Sequence, residues 1–201
     1  MRLTSTPRIE FLRTLAAEVL HNYGRGRTVI AIDGADASGR AQFAADLAEV
    51  LTEDDERNVF TASLRNFQRS QAERNRFGPA TPERHYRFGY DYSALRRVLI
   101  EPFRLDGSAG FVTEHFDADR DTWIEPTWRT TSADAILVVE GDFANRPELR
   151  GLWMFSVLLE TDPVTPEDVL YLADVTPREI VDAVIINTDP AAPRRLFLDR
   201  C

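Results

Sequence analysis

The stretch that most restricts the fold is Thr28-Val29-Ile30-Ala31-Ile32-Asp33-Gly34-Ala35-Asp36-Ala37-Ser38-Gly39-Arg40-Ala41. Val29 to Ile32 are all apolar, which suits a strand buried on both faces in a parallel sheet covered by helices. A run at helical spacing follows, with Phe43, Ala44, Leu47, Ala48 and Leu51 on one face. Between strand and helix, the spacing Gly34-x-x-x-x-Gly39 is that of a loop whose backbone N–H groups cradle phosphates. The next two positions, where that motif carries Lys and then Ser or Thr, hold Arg40 and Ala41. A tight strand-to-helix turn without a ligand is the plainer reading of the same residues.

The rest of the chain alternates helical and strand patterns. A helix is predicted over 7–23, where Phe11, Leu12, Leu15, Ala16, Val19 and Leu20 recur at spacings of three and four. Pro7 suits its first turn, and Gly24 with Gly26 its end. Strands are predicted over 58–64, 135–139, 155–159 and 183–186, the last being the final strand. An acidic turn, Glu53-Asp54-Asp55-Glu56, precedes the first of these. Helices are predicted over 93–100, closed by Pro102, and over 165–174, with a short one at 147–152. The Arg-rich segment 65–89 reads as a surface loop with short helical pieces. Residues 110–116, after an Asp106-Gly107 turn, suit a strand or hairpin arm, and 123–128 an extended, Pro-interrupted stretch. The pattern predicts a doubly wound α/β sheet in one domain spanning 1–201, with an N-terminal helix in 1–26 and a core over 27–193.

Composition narrows the function. A net charge of −9 argues against a broad basic surface for nucleic acid. Every one of the 24 basic residues is Arg, so no lysine elsewhere can replace the one missing from the loop. The single cysteine, Cys201, permits neither an internal disulfide nor a cysteine-based zinc site. His21, His85 and His115 have no metal-ligand spacing, so no metal-binding residues are predicted. Met1 to Pro7 lacks the apolar run of a signal peptide, and no stretch approaches the roughly 18 apolar residues of a membrane span. A cytoplasmic protein without a membrane partner is therefore expected.

An ordered set of segments resembles the uridine kinase-like branch of the P-loop nucleoside kinases. These are Val29-Ile30-Ala31-Ile32-Asp33-Gly34 with Ser38-Gly39, Tyr90-Asp91-Tyr92-Ser93-Ala94-Leu95-Arg96-Arg97, Pro126-Thr127-Trp128-Arg129-Thr130, Ile136-Leu137-Val138-Val139-Glu140-Gly141, and Tyr171-Leu172 through Asn187-Thr188-Asp189-Pro190. They run in the family's order from about residue 27 to about residue 193. The resemblance implies a P-loop α/β fold and ATP- and Mg2+-dependent phosphoryl transfer to a nucleoside or other small alcohol. It implies nucleotide contacts at Gly34, Asp36, Ser38, Gly39, Arg40 and Ala41, and substrate contacts at Asp91, Tyr92 and His115. Arg40 and Glu140 are the candidate catalytic residues, and a small-molecule nucleotide or nucleoside is the implied partner. A homo-oligomer is compatible with this reading.

Four positions depart from the family. Arg40 stands in place of the loop lysine, and its planar fork is no simple substitute for a compact ammonium. Ala41 offers magnesium no hydroxyl. Arg65-Asn66-Phe67 stands where the family carries Asp-x-Phe, which removes the base. Glu160 to Leu170 is short and holds no arginine, so the Arg-bearing lid is missing. Because phosphoryl transfer depends on all four parts together, weak or absent activity is expected. The alternatives are an active divergent kinase using Arg40 with Asp36 or Glu140, and a non-catalytic interaction module. Individual residues also stay open. Asp91 either contacts a nucleoside or caps the helix after it. Glu140 is either a functional acid at the strand edge or a buried, hydrogen-bonded carboxylate.

Overall fold

The computed structural model describes residues 2–53, 57–105, 109–161 and 165–197. In chain order its strands are β1 (Arg27–Asp33), β2 (Asn58–Ser63), β3 (Phe116–Asp117), β4 (Thr122–Trp123), β5 (Ala135–Gly141), β6 (Phe155–Glu160), β7 (Ala183–Ile186) and β8 (Arg194–Leu196). Its helices are α1 (Pro7–Asn22), α2 (Arg40–Leu51), α3 (Gln71–Asn75), α4 (Pro82–Phe88), α5 (Tyr92–Ala94), α6 (Glu101–Arg104), α7 (Pro166–Val175) and α8 (Pro177–Ile180). Six strands make one sheet in the order β2-β5-β1-β6-β7-β8, and β3 pairs with β4 as a separate hairpin.

The apolar run of β1 is explained by its place. It pairs in parallel with β5 on one side and β6 on the other, and all seven of its residues are buried. Successive side chains point to opposite faces. Val29 and Ala31 therefore join a core with Leu137, Val139, Leu99 and Phe103, while Ile30 and Ile32 join one with Leu12, Val19, Phe43 and Leu47. Helices cover both faces, as the doubly wound reading requires.

Three expectations change. The sheet does not end at β7: β8 returns antiparallel to it and packs Leu196 against Leu158, Val181 and Val184. Pro102 does not close the helix before it. Residues Leu95–Ile100 wind as a π-helix, with the Glu101 N–H reaching Arg96 O, and α6 continues to Arg104. That wider turn accommodates a proline ring that would clash with the carbonyl four residues back in an α-helix. Of the arm expected over 110–116, only the Phe111–Arg129 bridge and the start of β3 at Phe116 are paired. The turns expected at 54–56 and 106–107 lie outside the described residues, as does Cys201.

The N-terminal helix is fastened rather than appended. Thr6 caps α1 by accepting from Ile9 N, and Arg13 Nε donates to Glu53 Oε2 at 2.7 Å just beyond α2. Glu53 also accepts from Leu3 N. The hydrogen bond from Arg13 holds the Glu53 carboxyl at a pKa of about 2. A carboxyl depressed on folding contributes stability above its unfolded pKa and loses it as the pH falls through the folded value. Glu53→Gln is therefore expected to lower the melting temperature near pH 6, with the deficit fading toward pH 2. Equal deficits at pH 6 and pH 3 would refute this role.

Candidate active site

The carboxyl ends of β1, β5 and β6 meet at one edge of the sheet, where open α/β sheets hold ligands. The loop after β1 turns through Gly34 at φ 151° and Gly39 at φ 71°. A Cβ on Gly34 would lie 2.7 Å from Ser38 Oγ and 2.9 Å from Leu159 O, so the chain passes there only as glycine. Between the glycines, Asp36–Ser38 forms a 3-10 turn. It spends two N–H groups internally, Ser38 N on Ala35 O at 2.9 Å and Gly39 N on Asp36 O at 3.4 Å. Asn187 at the end of β7 braces the loop from outside, its Nδ2 donating to Ser38 O at 2.7 Å.

Arg40 opens α2 and folds back into this loop. It is 7 % exposed, and its Nη1 donates to Gly34 O at 2.9 Å. Its Nε donates to Glu140 Oε2 at 2.9 Å, and Nη2 lies 2.5 Å from Asp36 Oδ1 and 3.7 Å from Asp142 Oδ1. Burial disfavours the charge on Arg40, but Asp142, Glu140 and Asp36 outweigh it and raise its pKa. Asp142 in turn accepts from Tyr90 Oη and lies 3.9 Å from His85 Nε2. Burial works against its charge too, yet the neighbouring His85, the hydrogen bond from Tyr90 and Arg40 beside them hold its carboxyl below the usual range. One buried cation thus sits among three carboxylates.

This arrangement does not fit magnesium-bound ATP. The cation that should meet the phosphates is bound to protein oxygens, the excess charge around it is negative, and Ala41 presents a methyl group where a metal ligand is needed. Among the described residues, no group of three or more His, Cys, Asp or Glu side chains is placed to hold a metal.

The remaining candidates fall into two places. Asp91 and His115 lie beside Phe67, and Tyr92 lies beside Tyr90 and Arg146. Asp91 N donates to Phe67 O at 2.8 Å, and the His115 ring lies parallel to that of Phe67 at 6.1 Å. Asp91 Oδ1 is already taken by Ser93 N and Ala94 N, so it caps α5, and burial lowers the His115 pKa. Tyr92 stacks on Tyr90 at 5.8 Å, and its buried hydroxyl has no hydrogen-bond partner among the described residues. Arg65 is not over the loop: it points outward to Asp119. Asn66 instead lines a cleft of about 220 Å³ with Ala41 and Glu140. Three arginines of 69–87 are engaged by local partners. Arg69 donates to Phe88 O, Arg84 to Gly78 O, and Arg87 pairs with Glu83.

Solved structures share the fold. A candidate uridine kinase from Bacillus stearothermophilus superposes with a TM-score of 0.71 at 24% identity, over 88% of this chain and 96% of that one. A candidate fructose transport system kinase from Silicibacter sp. TM1040 gives 0.62 at 20% identity, over 90% and 86%. The chain has the P-loop kinase fold. No family model and no curated protein matches the sequence. At these identities the likeness carries the fold, and the chemistry must be read from the side chains.

Several residues of the P-loop kinase edge were not singled out from sequence. Asp142 and His85 complete the shell around Arg40. Asp33 is fully buried at the end of β1, where it accepts from Tyr171 Oη, from Asn145 Nδ2 at 2.7 Å and from Ala144 N at 3.3 Å. Burial pushes its carboxyl above the usual range against those bonds. The available signal was position alone: Asp33 and Asp142 each sit at or just past the end of an apolar strand. Among the described residues, no helix is long and apolar enough to cross a membrane.

Proposed function

We propose that this protein belongs to the uridine kinase-like branch of the P-loop kinases and binds nucleotide or phosphate weakly, with weak or absent ATP-dependent phosphotransferase activity. The observation that carries this reading is the clamp on Arg40 by Glu140, Asp36, Asp142 and the Gly34 carbonyl. A triphosphate arriving at the loop meets a cation already neutralised and two further negative charges, so Coulomb repulsion replaces the attraction the loop was shaped for. The loop geometry supports an anion-binding ancestry, and the residues around it oppose that use. Asp91, Tyr92 and His115 are assigned to the nucleoside side and Gly34 to Ala41 to the phosphate side.

The test is thermal stabilisation by millimolar ATP with magnesium, paired with turnover on a panel of nucleosides. A ligand at a hundred times its dissociation constant stabilises by about 2.7 kcal/mol. The wild type is expected to show far less than this and no product above the enzyme-free control. The double variant Arg40→Lys with Ala41→Thr is expected to gain a magnesium-dependent shift. Robust turnover by the wild type, lost in Arg40→Ala, would establish the active divergent kinase instead.

A further inference from the structure

We infer that the cleft between β1, β6 and α7 binds a small zwitterion with an apolar body, an α-amino acid of the phenylalanine or leucine type. Glu160 takes its ammonium group, Arg178 its carboxylate, and the apolar wall its side chain. The cleft has a volume of about 330 Å³, within the ~300–1,000 Å³ of small-molecule pockets. It lies in the fork of the sheet where β1 leads toward β2 and β6 toward β7. It is on the β6 side of the glycine loop, shares no lining residue with Asp91 and His115, and does not depend on the loop taking a phosphate.

A ligand touches only groups that keep surface in the cleft, and these divide by chemistry. Leu172 on α7 is 42 % exposed and Ala35 is half-buried, and both are apolar. Behind them Phe143, Leu159 and Tyr171 form a buried floor. An apolar side chain seated there removes its own surface and that of Leu172 from water. Phe143 is held at φ 61°, a left-handed conformation that aromatic residues rarely adopt. Such conformations persist where surrounding structure requires them, and they concentrate at ligand sites.

The charged groups with surface are Glu160 and Arg178, whose side chains are 37 % and 49 % exposed. Arg178 Nη1 stands 3.5 Å from Glu160 Oε1, beyond the ~2.7–2.9 Å of a charge-assisted hydrogen bond. Neither side chain makes a hydrogen bond among the described residues. An acceptor and a donor fork of opposite sign therefore lie side by side with their hydrogen-bonding capacity unspent. That pair matches the ammonium and carboxylate that an amino acid carries on one carbon. A half-exposed ion pair is itself weak, so opening it to a ligand costs little. The other two acids on the wall make no contact of this kind. Asp33 is fully buried and bonded by Tyr171 and Asn145, and Asp168 is 8 % exposed and closes the capping box of α7 with Thr165. Their field still acts: with Glu160 they set three acids against one arginine, so a ligand with a single charge is favoured as a cation over an anion.

Phenylalanine, leucine, glycine, phenethylamine and hydrocinnamate serve as probes, titrated onto the intact protein without nucleotide and read by saturation-transfer NMR. Phenylalanine and leucine are expected to bind. Phenethylamine should be about five- to tenfold weaker than phenylalanine for want of the Arg178 contact, hydrocinnamate weaker still, and glycine, which has no body, undetectable. Glu160→Gln should weaken phenylalanine and phenethylamine about five- to tenfold and leave hydrocinnamate no weaker. Arg178→Gln should weaken phenylalanine by a similar factor and leave phenethylamine unchanged or tighter, because Glu160 is then released. Leu172→Asn, at an exposed helix position, should weaken every probe that carries an apolar body. No binding of either apolar amino acid would overturn the inference. So would either singly charged probe or glycine binding as tightly as phenylalanine, or Glu160→Gln acting equally on phenethylamine and hydrocinnamate. Because nucleotide is absent, none of these outcomes bears on the weak-phosphotransferase reading.

Discussion

Arg40→Met is expected to destabilise the protein by about 3–5 kcal/mol at pH 7, the scale for removing one partner of a buried ion pair. The side chain is 8 % exposed, and Glu140 and Asp142 beside it are 13 % and 19 % exposed, so water cannot take over the role of the guanidinium. Asp36, at 92 % exposed, contributes little to this loss. The pH dependence is the sharper readout. Asp142 has a folded pKa below its unfolded one, so its contribution is present above the ordinary carboxylate range and is lost as pH falls through the folded value. Without Arg40 that contribution shrinks. The gap between wild type and variant should be widest at neutral pH and narrow toward about pH 4, where unfolded carboxyl groups protonate. Urea denaturation at both pH values checks this. A loss below about 1 kcal/mol at pH 7 would reduce Arg40 to a surface-type pair.

Tyr171→Phe is expected to cost about 1.5–3 kcal/mol at pH 7, the value of a hydrogen bond to a charged group. Here the sign of the linkage differs. Asp33 has a folded pKa above its unfolded value, so it stabilises fully below the unfolded pKa, and stability is lost as pH rises through the folded one. The Tyr171 hydroxyl opposes that rise, and deleting it lifts the folded pKa further. The variant should therefore lose more as the pH rises, because a carboxyl pKa raised further gives up more stability on ionising. A deficit independent of pH between about 4 and 7 would mean that Tyr171 acts on Asp33 through packing alone.

What could be read in advance divides along the range of the interactions. The apolar runs of β1, β5 and β6 and the spacings of α1, α2 and α7 were legible because burial of a strand or helix face leaves a local pattern. β8 was not legible. Three residues in Arg194–Leu196 are too few to show alternation, and the strand exists because β7 offers it an edge. The π-helical turn before Pro102 was hidden because sequence reading treats proline as a stop, while the fold widens the helix to keep Leu99, Ile100 and Phe103 buried. At the site, the substitutions at Arg40 and Ala41 were visible as residue types. Where the guanidinium goes was not, since Glu140 and Asp142 lie a hundred residues downstream. Arg65 could be aligned with the acid of the family's Asp-x-Phe, but only the fold turns it outward and brings Asn66 in.

The central position of β1 also has a consequence for how the chain is made. Arg27 pairs with Ala135 and Ile30 with Phe155, so neither edge of β1 has a partner until the chain has been extended through β5. At about 5–20 residues per second, the wait from Arg27 to Ala135 is about 5–20 s. During that interval seven residues destined for full burial stand in water with both hydrogen-bonding edges open. Nascent chains halted after β2 should therefore be strong chaperone clients, and ones extended through β6 should not.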